Sequence, residues 1–154
     1  MRFLLTLLLI NIALLAHSQK VKVDDGLVTM DGQAYCKMEK TNCKLGYCDF
    51  RVTTLDGKEI IFIKIRSYVD HERAGAYSTT GNVVYFDWTF LGSGNKAETD
   101  QSSEKNLAKA MVDARLLKDG ALVAEGERNF ILINGMRHTE RQKQLGLPVI
   151  IIQR

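Results

Sequence analysis

The dipeptide Asp56-Gly57 constrains this chain more than any other feature. Asp-Gly suits a two-residue hairpin turn, because both central residues take positive φ, and the runs on either side are rich in β-branched and aromatic residues. Read as a two-residue loop, it pairs Leu55 with Lys58. The register then sets Val52 opposite Ile61, Phe50 opposite Ile63 and Cys48 opposite Ile65. Side chains alternate along a strand, so these six residues share one face. The other face carries Arg51, Thr53, Lys64 and Arg66, with Ile60 and Phe62 among them. Apolar residues meet apolar residues in this register, and a one-residue slip would turn one strand's whole apolar set away from its partner's.

Two more Asp-Gly turns, Asp25-Gly26 and Asp31-Gly32, extend the pattern backwards. Pairing Cys36 with Cys48 places Ala34 opposite Phe50 and Met38 opposite Gly46, on the same apolar face. Gln33, Tyr35 and Lys37 then fall on the other face. Strands are predicted over 33–38, 46–54 and 59–66, with 27–30 joined through Asp31-Gly32. Residues 67–82 are polar and aperiodic, and read as a long loop with a short helical turn. Residues 83–91 alternate again: Val84, Phe86, Trp88 and Phe90 on one face, Val83, Tyr85, Asp87 and Thr89 on the other. Residues 92–101 read as a second loop.

The second half changes period. Leu107, Ala110, Met111, Ala114 and Leu117 recur at helical spacing behind a Ser103 cap, and Gly120 closes the turn that follows. This predicts a long helix over 103–118. Residues 122–134 read either as a helix closed by Gly135 or as a hairpin turning at Glu125-Gly126. A glycine inside a helix costs about 1 kcal/mol relative to alanine. A short helix over 139–145 ends at Gly146, and Pro148 blocks its continuation. Val149-Ile150-Ile151-Ile152 reads as a final apolar strand. The fold class is therefore α+β: a mainly antiparallel sheet of five or six strands, with one long and one or two short helices near the C-terminus.

The N-terminus supplies an address. Met1-Arg2 precedes an apolar run from Phe3 to Ala16, and Ala16-His17-Ser18 offers small residues at a cleavage point. The run is short of the roughly 20 residues that span a bilayer. Residues 1–18 are predicted as a secretory signal peptide and 19–154 as one domain, secreted or periplasmic, with no membrane span after cleavage. A net charge of +3 is too small to mark a nucleic-acid surface. Forty-five per cent hydrophobic residues and one proline exclude a disordered or collagenous chain.

Three cysteines in an exported chain predict a disulfide and leave one thiol over. The register favours a Cys36–Cys48 bridge with Cys43 free; other pairings and a fully reduced set are the alternatives. Cys36, Cys43, Cys48 and His71 lack the paired spacing of a zinc knuckle, and no C-x-x-C is present, so no metal or cofactor is predicted. Ser93 in Gly92-Ser93-Gly94 lacks the nucleophile-elbow pattern. Asp70-His71-Glu72-Arg73 is the densest polar cluster. A binding surface is expected where 67–82 meets 135–147, built from His71, Glu72, Arg73, Arg137 and His138. The same residues also read as solvated connections with local ion pairs. No catalytic residue is assigned. The expected function is a small exported non-enzymatic domain that binds an unidentified protein or small ligand. The alternative is a secreted hydrolase working through Asp70, His71, Glu72 and His138.

Overall fold

The computed structural model describes residues 19–75 and 78–148. The predicted leader 1–18, Tyr77 and the apolar run 149–152 lie outside the described residues. Seven strands form one antiparallel meander in chain order: β1 Val21–Asp24, β2 Leu27–Met30, β3 Gln33–Lys44, β4 Tyr47–Thr53, β5 Glu59–Val69, β6 Asn82–Phe90 and β7 Lys96–Asp100. Three helices follow: α1 Glu104–Asp113, α2 Ala124–Asn134 and α3 Arg137–Gln144. The long helix expected over 103–118 is corrected: it stops at Asp113, Arg115 takes positive φ, and Leu117–Lys118 form β8, which pairs with β9 Ala121–Leu122 and closes the turn between α1 and α2. The architecture is α+β, as the sequence predicts, with a larger sheet. Strands β1 and β7 were hidden because both are short and half polar.

The Asp56-Gly57 hairpin has the predicted core register, with Val52 opposite Ile61 and Phe50 opposite Ile63, but its loop is longer than the two residues expected. Thr54 N–H donates to the Lys58 carbonyl, Gly57 N–H to that of Thr54, and of the two turn residues Gly57 alone takes positive φ. Strand β6 continues it, pairing Phe90 with Ile61 and Trp88 with Ile63. These residues, with Met38, Cys36 and Val28, form the buried first face. Helix α1 covers it with Leu107, Ala108, Met111 and Val112, and α2 covers it with Phe130. The Phe130 ring lies 4.8 Å from Trp88 and 5.8 Å from Phe90, which fastens α2 to this face. Residues 122–134 are thus resolved in favour of a helix. Gly126 is tolerated there because the helix presses on backbone: a Cβ at 126 would lie 2.3 Å from the Arg115 carbonyl oxygen.

Two β-bulges correct the expected faces. Val28 pairs with Cys36 but Thr29 with Ala34, so Tyr35 is the extra residue. Val52 pairs with Ile61 but Thr53 with Glu59, so Ile60 is extra. A bulge rotates the inserted residue out of strict alternation. Tyr35 and Ile60, both expected on the second face, are buried in the core. The Tyr35 hydroxyl accepts a hydrogen bond from Leu117 N at 2.9 Å and donates to the Met111 carbonyl at 3.2 Å.

The cysteine pairing is also corrected. The disulfide joins Cys43 to Cys48, and Cys36 is a free, buried thiol. Strand β3 does not stop near residue 38. It runs on to Lys44 and turns at Leu45-Gly46, both at positive φ, so Lys44 pairs with Tyr47 and Lys40 with Phe50. The β3–β4 register is displaced by six residues from the predicted one. Six is even, so Cys36, Met38, Phe50 and Val52 still share a face although their partners changed. Burial pushes the Cys36 thiol pKa up to about 12, which leaves it protonated and unreactive.

Candidate functional site

The second face of the sheet builds the site. Along β5, β6 and β7 it presents Arg66, Tyr68, Tyr85, Asp87, Glu98 and Asp100, by the registers Arg66 with Tyr85, Asp87 with Glu98 and Tyr85 with Asp100. The predicted loop 67–82 is trimmed at its ends, since β5 runs through Val69 and β6 starts at Asn82, and the 3-10 turn His71–Arg73 is the short helical turn expected within it. The predicted loop 92–101 ends in β7, whose outer edge is capped by α2. Glu98 N–H donates to the Gly135 carbonyl at 2.8 Å. Gly135, at φ 58° and ψ −153°, occupies a region essentially reserved for glycine. This bend carries the chain around the sheet edge, from α2 on the first face to α3 on the second.

Helix α3 is fastened at three points. At its start the Glu98 carboxylate, 1% exposed, accepts His138 N–H at 2.7 Å, Thr139 N–H at 3.0 Å and the Thr139 hydroxyl. A carboxylate reaching from the sheet thus satisfies the helix N–H groups that the helix cannot pair itself. In its middle, the His138 ring stacks on Tyr85 at 4.5 Å and meets Tyr68 edge-on at 6.0 Å, while Gln142 donates to the Tyr85 hydroxyl at 3.0 Å. Towards its end, Arg141 grips Asp70 with two bonds, 2.8 Å and 3.1 Å, and also pairs with Glu72. Asp70 has no exposed surface, yet it sits at the rim, covered by the Arg141 and Arg73 side chains. The Arg141 bonds hold its pKa below the usual carboxylate range.

Between this helix and the sheet opens a concave pocket of about 890 Å³. Its sheet wall holds Ile65, Arg66, Tyr68, Val69, Tyr85, Asp87 and Lys96, and its helix wall Met136, Thr139, Gln142 and Lys143. Leu147 and Pro148 line its far side. At the floor, Arg66 Nε and Lys96 Nζ lie 3.8 Å and 4.0 Å from the same Asp87 oxygen, Oδ2. The other oxygen, Oδ1, is buried and has no hydrogen-bond partner among the described residues. Desolvation by burial raises the Asp87 pKa in spite of the two cations.

The five predicted binding residues stand around this pocket, and none of them lines it. His71 is exposed on the 3-10 turn. Glu72 pairs with Arg141, and Arg73 Nε lies 3.7 Å from Asp70. Arg137 and His138 share Asp100, at 2.9 Å and 3.1 Å. The His138 contact is an off-axis electrostatic approach, since Nε2 makes no aligned hydrogen bond. Burial, 98% complete, lowers the His138 pKa and keeps the ring neutral near neutral pH. The segments 67–82 and 135–147 do meet, through Asp70, Glu72 and Arg141 and through Tyr68 and His138. Sequence reasoning missed Arg66, Asp87 and Lys96, although Tyr85 and Asp87 on the polar side of β6 were the available signal.

Among the described residues no group of three His, Cys, Asp or Glu is placed to hold a metal ion, and no helix is long and apolar enough to cross a membrane. Comparison with models of protein families, with curated proteins and with solved structures found no match.

Proposed function

We propose that this protein is an exported, non-enzymatic domain that binds a small ligand in the pocket between α3 and the β5–β7 face. The observation that carries the reading is the pocket itself. About 890 Å³ lies within the range of small-molecule sites, and the walls combine apolar side chains with a few charged groups, as such sites do. The walls are also rigid: α3 is tied at its start, middle and end, so the cavity exists before a ligand arrives and binding need not order it. Export is supported by the N-terminal leader pattern of residues 1–18 and by the Cys43–Cys48 disulfide, which fits an oxidising compartment. Strand β1 starts at Val21, just beyond the proposed cleavage point after Ser18.

The hydrolase alternative draws no support from the arrangement. Asp70 is engaged by Arg141, and His138 is sealed between two tyrosines outside the pocket lining. Fragment screening by amide NMR on the mature chain tests the binding reading. Shifts should concentrate at Ile65, Tyr68, Tyr85, Met136 and Gln142. A diverse library at millimolar concentration that leaves those residues unmoved would overturn it.

A further inference from the structure

We propose that the pocket takes an amphipathic carboxylate, with its anionic head between Arg66 and Lys96 and its apolar body along Met136, Leu147 and Pro148. The inference rests on the reading of this pocket as a ligand site and goes further by naming the ligand's chemistry.

The floor holds two cations around one carboxylate. Arg66 and Lys96 both approach Asp87 Oδ2, at 3.8 Å and 4.0 Å, beyond hydrogen-bond reach. Among the described residues neither makes a hydrogen bond with its side chain, and the two are 26% and 35% exposed. Arg66, Lys96 and Lys143 balance Asp87, Glu98 and Glu140, so the lining is neutral overall. What the floor leaves open is donors, because Glu98 is engaged by α3 while the Arg66 and Lys96 side chains hold no hydrogen bond, and an anionic acceptor satisfies them. A carboxylate fits the guanidinium fork of Arg66 in two-point fashion and can take a third bond from Lys96. A phosphate dianion would bring a second negative charge against Asp87. On the floor a cationic head finds no open acceptor, because Asp87 Oδ1 is buried and Oδ2 faces the two cations; the exposed Glu140 carboxylate lies on the helix wall, away from that point. Above the floor the walls turn apolar, and the tyrosine rings of Tyr68 and Tyr85 are packed against His138 instead of lying open as platforms for sugars.

The test is calorimetric titration of the mature chain with three probes that share a ten-carbon chain, decanoate below its micelle concentration, decanol and decyltrimethylammonium, and with leucine as a short zwitterion. Decanoate should bind tightest, and binding should weaken as salt rises. Arg66→Ala and Lys96→Ala should each weaken decanoate about tenfold, the effect of losing one charge-assisted contact. Asp87→Asn, which removes the competing carboxylate and keeps the shape, should strengthen it. Circular dichroism confirms that each variant is folded, and Asp87→Asn remains decisive if an alanine variant is not. Equal binding of decanol and decanoate, tighter binding of the cation or of leucine, or an unchanged decanoate affinity in Asp87→Asn would overturn the proposal. If decanol shifts the amide signals of Tyr68 and Gln142 while decanoate does not, the ligand class falls and the pocket reading survives. If no probe shifts them, both fall.

Discussion

Replacing Gly126 by alanine opposes two effects, and the structure decides the sign. Gly126 lies in the first turn of α2. On helix propensity alone, alanine should stabilise the protein by up to about 1 kcal/mol. A Cβ there would lie 2.3 Å from the Arg115 carbonyl oxygen and 2.8 Å from that of Ala114. Carbon–oxygen contacts settle at about 3.3 Å or more, so α2 must retreat from the end of α1 by about 1 Å. Both obstructing atoms are backbone and cannot swing aside. Overpacking of this kind costs about 1–3 kcal/mol, and a backbone clash belongs at the upper end. The net expectation is a loss of about 2 kcal/mol, or a melting temperature lower by about 7 °C for a domain of this size. Differential scanning calorimetry measures it, with Gly92→Ala as the control. Gly92 has open space around it, so that change should stay within about 0.5 kcal/mol. A Gly126→Ala protein that melts at or above the wild-type temperature refutes the close approach of α2 to α1.

Glu98→Ala should strip α3 of its cap and orphan two N–H groups, lowering stability by about 3 kcal/mol; hydrogen exchange should speed at His138 and Thr139 before the sheet. Unchanged protection at those two amides would contradict the capping role. His138 has its folded pKa below the unfolded value of about 6.5, so the unfolded chain binds the extra proton. Stability should hold above that pH and fall on acidification below it, by at most about 1.4 kcal/mol per pH unit. Urea denaturation between pH 7.5 and 5.5 reads this slope, which His138→Gln should flatten; an equal slope in the variant would assign it elsewhere. Non-reducing peptide mapping should join Cys43 to Cys48 and leave Cys36 unalkylated until the protein is denatured. Removing the bridge should cost at most about 2 kcal/mol, because the loop it closes is short.

The first face of the sheet was legible because it obeys simple alternation. Val52, Ile61, Phe86 and Trp88 could be placed from the Asp56-Gly57 turn and a period of two. Tyr35 and Ile60 could not, because each sits at a bulge that alternation cannot anticipate. The β3–β4 turn was misjudged because Leu45-Gly46 is a weak turn signal beside the Asp-Gly dipeptides, and a leucine at positive φ is an uncommon choice. Leu45 is 98% exposed there, so nothing in its hydrophobicity pointed to a hairpin tip. The site was only partly legible for a different reason. Arg66, Asp87 and Lys96 lie on three strands and converge only once the sheet is assembled. Asp70, His71, Glu72 and Arg73 drew attention because they are adjacent in sequence, and their visible contacts secure α3.

A crystal structure of the full mature chain soaked with decanoate tests the central claim most directly. Density is expected in the pocket between α3 and the β5–β7 face, with the carboxylate within about 3 Å of both Arg66 and Lys96. Density for the ligand on another surface, with this pocket empty, would contradict it.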